Sequence, residues 1–497
     1  MEKLNIGMIG CGLISTLHAA GYRDNPRVRL YAICDLDEQL VAARKGDWGV
    51  EKTFTDYREL LEDPAIDAVE VITPHKLHER IVIDALDAKK HVAVQKPMTT
   101  SLESADRMVA HAKKSGLVFK VTDNYVSYPP IVLAKKMLEN GEVGDPQMLR
   151  VKMINSPHGG WDMPVESYDW RFDEFAEGRF SETFDHGHHE WATAWYLMGD
   201  VERVGAWIDS IDGVLDSPVT VMWKHKQGKR YGICEFVYAE KLHIPSRYYP
   251  NDEWFELTGS GGIIFIHRCT GEIHDGPAVS VFNNEGWTHH DGVESDWAEG
   301  FRGALENFVD AIEGKAEPLL TGDQGREILR MSFAIYQAAR KRRDVYLEEL
   351  DRPFPGLYAW RQRRREKRES FIESFRKPRW GRNLSKYAPR ASELTERFAG
   401  RFDAEAAADW ESVVGLRLTP DGGVKEQTFA LYVSAGKVTL KEGPIPEDAN
   451  LTVAMPAGTW AAIVLGKKSL ESALFGRQLK VEGEAREGLR LRSAFHI

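Results

Sequence analysis

The chain has little cysteine and no long apolar run. Its four cysteines (Cys11, Cys34, Cys234 and Cys269) are scattered among 497 residues and form no CxxC pair. This distribution argues against a disulfide framework and favours a reducing compartment. An apolar run of about 18 residues, long enough to span a membrane, is missing as well. The first apolar run begins at Leu4, which leaves no room for a signal peptide, so we expect a cytoplasmic protein.

Positive charge is in the minority. The sequence contains 65 Lys and Arg against 76 Asp and Glu, which gives a formal net charge of −11 at pH 7. We therefore expect no nucleic-acid partner, because a polyanion would be repelled. The hydrophobic fraction of 42% is that of a globular protein, and the length is sufficient for two or three domains.

A glycine-rich turn lies near the start of the chain, in residues 6–15 (IGMIGCGLIS). A short apolar run leads into it and apolar residues at helical spacing follow, which predicts a strand, a tight turn and a helix. Gly10 permits the turn, and Gly12 allows backbone N–H groups to approach a pyrophosphate at the positive end of the helix. Together with Leu13 and Ile14, these glycines form a candidate cofactor-binding turn. An ordinary glycine turn would give the same short pattern.

An acidic residue follows the second apolar run. Asp35 stands at the end of Val28–Cys34, close to the roughly 20-residue spacing expected for the acid that binds a ribose 2′-hydroxyl. The next basic residue along the chain is Arg44. An acid without a basic neighbour would repel a 2′-phosphate, so Asp35 predicts NAD rather than NADP. The alternative is a solvated acid at a strand end.

Strand-like and helix-like runs alternate over residues 1–125, which predicts a parallel sheet with helices on both faces. Polar motifs stand where three of the apolar runs end: Thr73-Pro74-x-x-x-His78, Gln95-Lys96-Pro97 and Asp123-Asn124. Open α/β sheets bind ligands at the carboxyl ends of their strands. Lys96 is notable, because the proline after it stiffens the backbone and directs the amine. A single surface lysine is the alternative.

A second cluster of chemically active residues occurs further along the chain. Asp185 and His189 are four residues apart, so on a helix they share one face. A histidine can transfer a proton near neutral pH, and a carboxylate can orient it or bind a substrate hydroxyl. His186, His188 and Glu190 crowd the same segment, so a metal site and a purely structural cluster are alternatives. We expect no metal, because hydride transfer with a nicotinamide needs none.

The segment before this cluster is rich in aromatic residues and acids. It contains Trp161, Tyr168 and Trp170. Aromatic faces beside polar groups suit a sugar or another polyol ring. A packed irregular loop would have the same composition.

These motifs together resemble the Gfo/Idh/MocA oxidoreductases over residues 1–345. The motifs that carry the resemblance are Gly10-x-Gly12-x-x-Ser15, Thr73-Pro74-x-x-x-His78, Gln95-Lys96-Pro97 and Asp185-His-Gly187-His-His189. The resemblance implies a doubly wound Rossmann domain in residues 1–125 that binds NAD. It also implies Lys96, Asp185 and His189 as the catalytic set. Beyond the glycine turn and Asp35, the cofactor is expected to contact Thr73, Pro74, His78, Gln95, Lys96 and Asn124.

The sequence departs from the family pattern at two places. Gln95 stands where the family usually has Glu, so electrostatic tuning of Lys96 by a neighbouring carboxylate is not expected. The family also often has an arginine shortly after the equivalent of Asn124, but here Tyr125, Val126 and Ser127 follow.

β-type runs dominate from residue 148 onward, and long helical crossovers are missing after about residue 200. This pattern predicts an α+β domain in residues 126–345 with an open, mostly antiparallel sheet. Two helical patterns, in residues 297–312 and 325–340, close the domain. The resemblance implies that this domain binds the substrate and that its open sheet face joins copies of the chain into a homo-oligomer.

A basic segment interrupts the acidic chain at residues 360–382, where ten Lys and Arg stand against three Glu with aromatic residues between them. We expect a linker helix over residues 346–384. Such a helix could lie along the acidic protein, on a membrane surface or against an acidic partner.

Residues 385–497 form a predicted third domain with alternating apolar residues. The tail resembles the SCP2-like (sterol carrier protein 2) family through Ala473-Leu-Phe-x-Gly476, Leu479-Lys-Val-x-Gly483 and Leu489-x-Leu491. The resemblance implies an α+β fold with a five-stranded sheet around an apolar tunnel, and hence a lipid or other hydrophobic ligand. An oligomerisation or lid module is the alternative.

Two classes of function fit these patterns. The first is an NAD-dependent oxidoreductase acting on a secondary alcohol of a sugar, glycoside or cyclitol, with a variant that oxidises a glycoside transiently, eliminates the aglycone and reduces the sugar again. A hydrophobic or lipid-linked aglycone would connect this activity to the tail. The second is a non-catalytic NAD and lipid sensor. The joint presence of Lys96, Asp185 and His189 favours the enzyme.

Overall fold

The first sheet is built from parallel strands that are almost entirely buried, as the apolar runs predict. Its strands are β1 (Leu4–Ile9), β2 (Val28–Cys34), β3 (Lys52–Phe54), β4 (Ala68–Val71), β5 (His91–Gln95) and β6 (Phe119–Thr122). Their order is β3-β2-β1-β4-β5-β6, so the winding reverses between β1 and β4. Helices connect them: α1 (Ser15–Arg23), α2 (Glu38–Trp48), α3 (Tyr57–Glu62), α4 (His75–Asp87) and α5 (Leu102–Ser115). This is the predicted doubly wound Rossmann sheet.

The computed structural model describes residues 3–161, 170–171, 181–211, 215–352, 384–404, 406–407, 409–468, 470, 473, 478–483 and 485–495. The chain divides into two compact units, Met1–Trp360 and Arg361–Ile497, called here the first and second unit. The basic segment at residues 360–382 lies outside the described residues. At the start of the predicted linker, a 3₁₀ turn at Leu347–Asp351 belongs to the first unit.

A second sheet follows the first in the same unit. It contains β7 (Pro146–Asn155), β8 (Val201–Ile211), β9 (Leu215–His225), β10 (Tyr231–Tyr238), β11 (Asn251–Gly259), β12 (Gly262–Ile266), β13 (Val279–Asn283), β14 (Gly286–His290) and β15 (Val345–Tyr346). The strand order is β14-β13-β12-β11-β7-β10-β9-β8-β15. Its strand pairs are antiparallel except β7 with β10, as the pattern predicts. The analysis of the sequence did not predict β13, β14 or β15.

Helices attach this sheet to the first one. They are α6 (Pro129–Glu139), α7 (Gly187–Met198), which continues a π-helical turn at Ser181–His186, α8 (Ala298–Ile312) and α9 (Gly322–Lys341). Helix α8 returns to the Rossmann sheet: a Cβ on Gly21 of α1 would lie 2.7 Å from Leu305. Arg27 fixes this contact with ion pairs to Asp310 (2.5 Å) and Glu313 (2.7 Å). The two sheets therefore flank one cleft.

One face of the second sheet carries large apolar side chains that stay exposed among the described residues. They are Trp207, Met222, Tyr231, Val237, Phe282 and Trp287. The registers of neighbouring strands place them on the same side; Trp287, for example, is paired with Phe282. Trp207 is 65% exposed and Trp287 is 56% exposed. This face is the open face that the sequence analysis predicts.

The second unit is an α+β structure with its own core. Its sheet has the order β18-β17-β16-β19-β20. The elements are β16 (Ser412–Thr419), β17 (Gln427–Ser434), β18 (Lys437–Glu442), β19 (Leu451–Pro456), β20 (Lys480–Gly483), α10 (Ala391–Ala399), α11 (Ala457–Val464) and α12 (Ala485–Phe495). Three helices meet in the core: the ring of Phe398 lies 4.4 Å from that of Phe495 and 4.8 Å from that of Trp460. Among the described helices of the chain, none has the length and apolar character that a membrane crossing requires.

Candidate functional site

The cleft between the two sheets of the first unit holds a cavity of about 1600 Å³. It opens at the carboxyl ends of β1, β2, β4 and β5, where an open α/β sheet binds its ligand. The predicted cofactor residues Gly10, Gly12, Leu13, Ile14 and Asp35 all line it. So do Thr73, Pro74, Gln95, Lys96, Asn124, Asp185 and His189. His78 is the exception among the predicted site residues.

The glycine turn has the shape that a dinucleotide requires. Gly10 has a φ of +102°, and a Cβ there would lie 2.4 Å from the carbonyl oxygen of Ile72, so only glycine fits. A Cβ on Gly12, in contrast, would meet no atom within 4 Å. The backbone at Gly12 is therefore open to the cavity at the start of α1, where the helix dipole favours a phosphate.

Asp35 is held in place by the same turn. Its Oδ2 accepts a hydrogen bond from the Cys11 N–H (2.7 Å), and its Oδ1 accepts one from the Asp37 N–H (3.1 Å). Arg44, the next basic residue in sequence, donates to the Cys11 carbonyl (3.4 Å) and does not line the cavity. Arg58 at the start of α3 does line it, with its guanidinium tied to Asp56. The sequence did not predict Arg58 as a neighbour of the cofactor. Arg58 follows β3, whereas the prediction considered the next basic residue after Asp35 at the end of β2.

The prediction that His78 binds the cofactor is wrong in this structure. The ring is fully buried behind the cavity wall. Its Nε2 lies 2.8 Å from the carbonyl oxygen of Thr73, and its Nδ1 lies 3.1 Å from that of Pro97. Burial and the neighbouring His75 lower the pKa of His78 to about 3. His78 thus links the loops after β4 and β5 to each other, and shapes the site without facing it.

A buried chain of hydrogen bonds explains why glutamine replaces glutamate at position 95. Glu70 Oε1 lies 2.8 Å from His18 Nδ1, so that nitrogen carries the proton. His18 Nε2 is then an acceptor, and the Gln95 amide nitrogen donates to it (3.0 Å). The Gln95 carbonyl oxygen accepts in turn from the Lys96 backbone N–H (2.7 Å). A glutamate would place a carboxylate against the lone pair of His18 Nε2, whereas Gln95 satisfies both neighbours.

Lys96 is joined to the second motif by a buried ion pair. Its Nζ donates to Asp185 Oδ1 (2.8 Å) and to the Asp185 carbonyl oxygen (2.9 Å). Arg171 Nε donates to the other carboxylate oxygen (3.2 Å) and His75 lies 3.8 Å away. Burial alone would raise the pKa of Asp185, but Lys96, Arg171 and His75 hold it well below its usual range. Asp185 is therefore an anion that fixes the Lys96 ammonium.

His189 has a different carboxylate partner. Its Nδ1 lies 2.9 Å from Asp123 Oδ1, and the Nδ1 of His188 lies 3.0 Å from Asp123 Oδ2. The ring of Tyr125 stacks on His189, with centroids 4.1 Å apart and an angle of 16°. Burial lowers the pKa of His189 to about 4. The positive charge of Lys96 lowers it further, whereas the negative charge of Asp123 raises it. His189 is thus a neutral base at physiological pH.

This geometry corrects one expectation. We considered that Asp185 either orients His189 or holds a substrate hydroxyl, and the described contacts give the orienting position to Asp123. The sequence analysis noted Asp123 at the end of β6 but gave it no role. Its two histidine partners lie 65 and 66 residues away, and no local spacing connects them.

The cavity also offers polar groups that make no hydrogen bond within the described residues. Thr73 Oγ1 and Asn124 Nδ2 are buried without a partner, and both residues line the cavity. Buried donors are rarely left unsatisfied. Together with the open backbone at Gly12, these groups fit a nicotinamide dinucleotide, which carries phosphate, ribose and amide groups for each of them.

The metal alternative centres on a cluster next to the site. Ligand atoms of His186, Glu190 and Glu253 lie within 4.8 Å of one another. Glu253 Oε1 accepts from Tyr125 Oη (2.9 Å) and lies 3.1 Å from His186 Nε2, while its Oε2 accepts from the backbone N–H and the hydroxyl of Thr270. Burial opposes the charged form of His186, but Glu190 and Glu253 raise its pKa well above its usual range. Without an ion, protonated His186 supplies positive charge between these two carboxylates, and a metal ion would take the place of that proton.

Aromatic rings line the cavity. Trp161 and Trp170 belong to the segment before Asp185, whereas Tyr249 and Trp297 come from later in the chain. Trp161 and Tyr249 meet edge to face at 5.4 Å, and Tyr249 meets Trp297 at 5.9 Å. Tyr168 lies outside the described residues. Flat apolar faces beside ionic groups suit the C–H faces and hydroxyls of a polyol ring.

Comparison with protein families gives three matches along the chain. Residues 4–123 match the NAD-binding Rossmann fold of the Gfo/Idh/MocA oxidoreductase family, and residues 135–347 match the C-terminal alpha/beta domain of the same family. Residues 393–496 match the SCP-2 sterol transfer family.

Individual relatives cover the first unit. The chain is 28% identical over 359 residues to a myo-inositol 2-dehydrogenase of Thermotoga maritima, which covers 70% of this chain and 99% of the relative. It is 30% identical over 215 residues to a levoglucosan dehydrogenase of Pseudarthrobacter phenanthrenivorans, covering 41% of this chain and 54% of the relative. A solved structure of a probable dehydrogenase from Thermotoga maritima superposes with a TM-score of 0.58 at 26% identity, over 70% of this chain and 99% of the other.

Proposed function

The chain belongs to the Gfo/Idh/MocA oxidoreductase family and carries an SCP2 domain, and from this premise we propose that it transfers hydride between NAD and a ring secondary alcohol of a cyclitol, sugar or glycoside. The NAD-binding Rossmann domain and the dehydrogenase relatives make it an NAD-dependent oxidoreductase acting on CH–OH groups. The observation that carries the substrate class is the meeting of Lys96, Asp185 and His189 in one aromatic-walled cavity.

Lys96 is suited to stabilise the reacting oxygen. An ammonium has three N–H donors, and Asp185 accepts two of them. The third is available for the substrate oxygen, where negative charge develops as the C–H bond breaks. A donor aimed at developing charge in a buried site contributes about 3–4 kcal/mol to the barrier.

His189 is suited to take the hydroxyl proton. Its Nδ1 is engaged by Asp123, which leaves Nε2 as the basic atom of a ring that lines the cavity. NAD, when bound in this cavity, would supply the hydride acceptor for oxidation and the hydride donor for reduction. Asp185 orients the Lys96 side chain, and Trp161 and Trp170 provide flat surfaces for a ring-shaped substrate.

The substrate class can be tested directly. Purified protein with NAD is mixed with myo-inositol, levoglucosan and a set of alkyl glucosides, and formation of reduced cofactor is followed by absorbance. We expect saturable reduction with at least one cyclitol or sugar, and loss of the signal in His189→Ala with NAD binding retained. Reduction of NAD by simple aliphatic alcohols alone would overturn the proposed substrate class.

The second unit is proposed to hold an apolar ligand. Its match to the SCP-2 sterol transfer family and its own core of Phe398, Trp460 and Phe495 support this proposal. A lipid-linked or otherwise hydrophobic aglycone is one ligand of this class. Titration of the full chain with a fluorescent fatty acid tests this role: saturable binding supports it, and a folded protein without binding leaves the tail a structural module.

A homo-oligomer is proposed to form through the open face of the second sheet. The exposed side chains of that face are large and apolar, and Trp207 and Trp287 are the most exposed of them. An apolar surface of this kind on a soluble protein marks an association site. Light scattering of the wild type and of Trp207→Glu tests this: we expect the substitution to lower the oligomer mass, and an unchanged mass contradicts the proposal.

A further inference from the structure

Asp123 lies at the junction of the two sheets and contacts both histidines of the second motif. It follows β6 directly, is 1% exposed, and belongs to the Rossmann part of the first unit. Its Oδ1 accepts from His189 Nδ1 (2.9 Å) and from the Tyr125 N–H (3.0 Å), while its Oδ2 accepts from His188 Nδ1 (3.0 Å). One buried carboxylate is thus held by three donors.

We propose that Asp123 is a positioning residue of the active site, which locks His189 in the tautomer whose Nε2 receives the hydroxyl proton of the substrate. This proposal rests on the proposed function and names its proton acceptor at the level of the atom. Asp185, the carboxylate of the same sequence motif, fixes Lys96 instead. Asp185 thus positions the Lys96 ammonium, and Asp123 positions the His189 imidazole.

The tautomer follows from the chemistry of the donors. An ionised carboxylate only accepts hydrogen bonds, so both Nδ1 atoms that approach Asp123 must carry protons. In a neutral imidazole the other nitrogen is then the base. His188 Nε2 is buried and makes no hydrogen bond within the described residues, so the hydrogen bond of this ring is the one from Nδ1 to Asp123. His189 presents its remaining nitrogen in a ring that lines the cavity.

The surroundings of His189 make this carboxylate important for the proton transfer. Lys96 and His186 are positive groups near the ring and disfavour its protonation, as burial does. Asp123 is the charge that opposes them, and Tyr125 stacked on the ring adds no charge. When the hydroxyl proton passes to Nε2 and the C–H electron pair leaves as hydride, the substrate becomes a carbonyl compound and His189 becomes an imidazolium beside Asp123. The buried anion stabilises that product of the step.

Replacing Asp123 by asparagine keeps the shape but removes the negative charge. The amide has one acceptor and one donor group, so it can accept from only one of the two Nδ1–H groups and must donate to the other ring. Its oxygen belongs at the position of Oδ1, because the Tyr125 backbone N–H donates there as well as His189 Nδ1. The amide nitrogen then faces His188 and forces a proton onto the enclosed Nε2 of that ring. We therefore expect Asp123→Asn to keep the tautomer of His189 but to lose the anion that stabilises its protonated form.

The first measurement needs no substrate. Nitrogen NMR of the full chain labelled with ¹⁵N-histidine, with His189 assigned from the spectrum of His189→Gln, reports which ring nitrogen carries the proton. We expect the Nδ1–H tautomer in the wild type at pH 7 and a larger share of the Nε2–H tautomer in Asp123→Ala, in which Nδ1 has lost its acceptor. A wild type with the proton on Nε2 of His189 overturns the proposal, whether or not a substrate has been found.

The second measurement uses whichever cyclitol or sugar reduces NAD in the wild type. Asp123→Asn should lower turnover about a hundredfold or more, with NAD affinity retained. The acid limb of kcat/KM should also move to lower pH, because the anion that favours protonated His189 is gone. Asp63→Asn serves as the control, since it removes a buried carboxylate from an ion pair with Lys52 elsewhere in the Rossmann domain. If Asp123→Asn loses activity only in proportion to thermal stability, as Asp63→Asn would, its role is structural and the proposal fails.

A pair of substitutions at His188 keeps the test independent of folding defects at Asp123. In His188→Asn the amide nitrogen can occupy the position of Nδ1 and still donate to Asp123, whereas His188→Ala removes that donor. We expect His188→Asn to retain more activity than His188→Ala and to keep the wild-type pH profile. Equal losses of activity and equal pH profiles in both variants would show that the hydrogen bond from His188 to Asp123 does not contribute.

Discussion

Lys96 Nζ lies 2.8 Å from Asp185 Oδ1 and 2.9 Å from the Asp185 carbonyl oxygen, a pair of contacts that joins residues 89 positions apart. The contact connects the end of β5 in the nucleotide-binding sheet to the π-helical turn that begins the second motif. It fixes the ammonium by two of its three donors, and the described residues leave the third without a partner. Lys96 is therefore positioned by a segment outside the Rossmann sheet, the turn at Ser181–His186.

The first prediction concerns this pair. Lys96→Ala should lower turnover by about a hundredfold or more, because the donor to the developing oxyanion is lost. NAD affinity should change little, since the glycine turn and Asp35 remain. The measurement is steady-state kinetics with the polyol that reduces NAD, with cofactor titration by fluorescence. Lys113→Ala, which removes an exposed lysine paired with Asp323, is the matched control. Turnover in Lys96→Ala equal to that of Lys113→Ala would refute the role.

The second prediction concerns Gln95. Gln95→Glu restores the residue usual in the family but places its carboxylate against the lone pair of His18 Nε2. We expect a loss of about 1–3 kcal/mol in the free energy of unfolding at pH 7.5, the cost of an unsatisfied buried polar contact. Thermal denaturation at pH 7.5 checks this.

Gln95→Ala provides the comparison for that experiment, because it removes the same hydrogen bonds without adding charge. The extra loss of stability in Gln95→Glu relative to Gln95→Ala then measures the effect of the added charge. A Gln95→Glu variant as stable as the wild type at pH 7.5 would show that the Glu70, His18 and Gln95 chain does not select glutamine.

The third prediction concerns stability in acid. His225 Nδ1 donates to the Gly199 carbonyl (2.8 Å), and its Nε2 accepts from Trp223 Nε1 (2.8 Å), so the fully buried ring is built to be neutral. Burial lowers its pKa to about 4. Its unfolded-state pKa is higher, so between about pH 6.5 and pH 4 the unfolded chain binds more protons and stability falls as the pH falls. One such group contributes a slope of about 1.4 kcal/mol per pH unit within that window.

Replacing the ring tests that slope. His225→Gln should be less stable than the wild type at pH 7 but should lose less stability on acidification to pH 5, as measured by chemical denaturation. His111→Gln, a substitution of a histidine on the surface of α5, is the control and should leave the slope unchanged. An unaltered slope in His225→Gln would mean that other groups set the acid sensitivity.

The fourth prediction concerns cofactor choice. Asp35→Ala should weaken NAD binding by about 1.5–3 kcal/mol, the value of hydrogen bonds to a charged group, and should relax the exclusion of NADP. Arg58, which lines the same part of the cavity, would then favour a 2′-phosphate. Isothermal titration with both cofactors measures the preference. Asp37→Ala removes the cap of α2 nearby without facing the cofactor, so its preference should be that of the wild type. Tighter binding of NADP than NAD by the unmodified protein would contradict the assignment.

The elements that the sequence predicted well are those with a local periodicity. The buried strands of the Rossmann sheet read as apolar runs, and α8 and α9 match their helical patterns within a few residues. The sequence did not predict strands β13 and β14. Both have five residues, and β14 is largely exposed on both faces, so polar and apolar residues do not alternate clearly along them. The glycine turn was predictable because Gly10 needs a backbone conformation that other residues rarely adopt.

The site was predictable only in part, because its contacts join distant segments. Lys96, Asp185 and His189 were found by motif, and they do line one cavity. Spacing in the sequence did not predict which carboxylate bonds which basic side chain. Asp185 is four residues from His189 yet bonds Lys96, while Asp123 contacts His189 through the fold. His78 belonged to a motif at a strand end, but its ring turns back to the backbone of the two loops it connects.

The central claim is that this protein moves a hydride from a ring carbinol to NAD with His189 as the proton acceptor. The most direct measurement is a single-turnover reaction of NAD with myo-inositol deuterated at its ring carbons, or with the correspondingly deuterated sugar that the activity screen identifies, followed by mass spectrometry of the reduced cofactor. Our account predicts deuterium in the reduced cofactor formed by the wild type and almost none formed by His189→Ala in the same time. Reduced cofactor without deuterium, or equal transfer by His189→Ala, would contradict it.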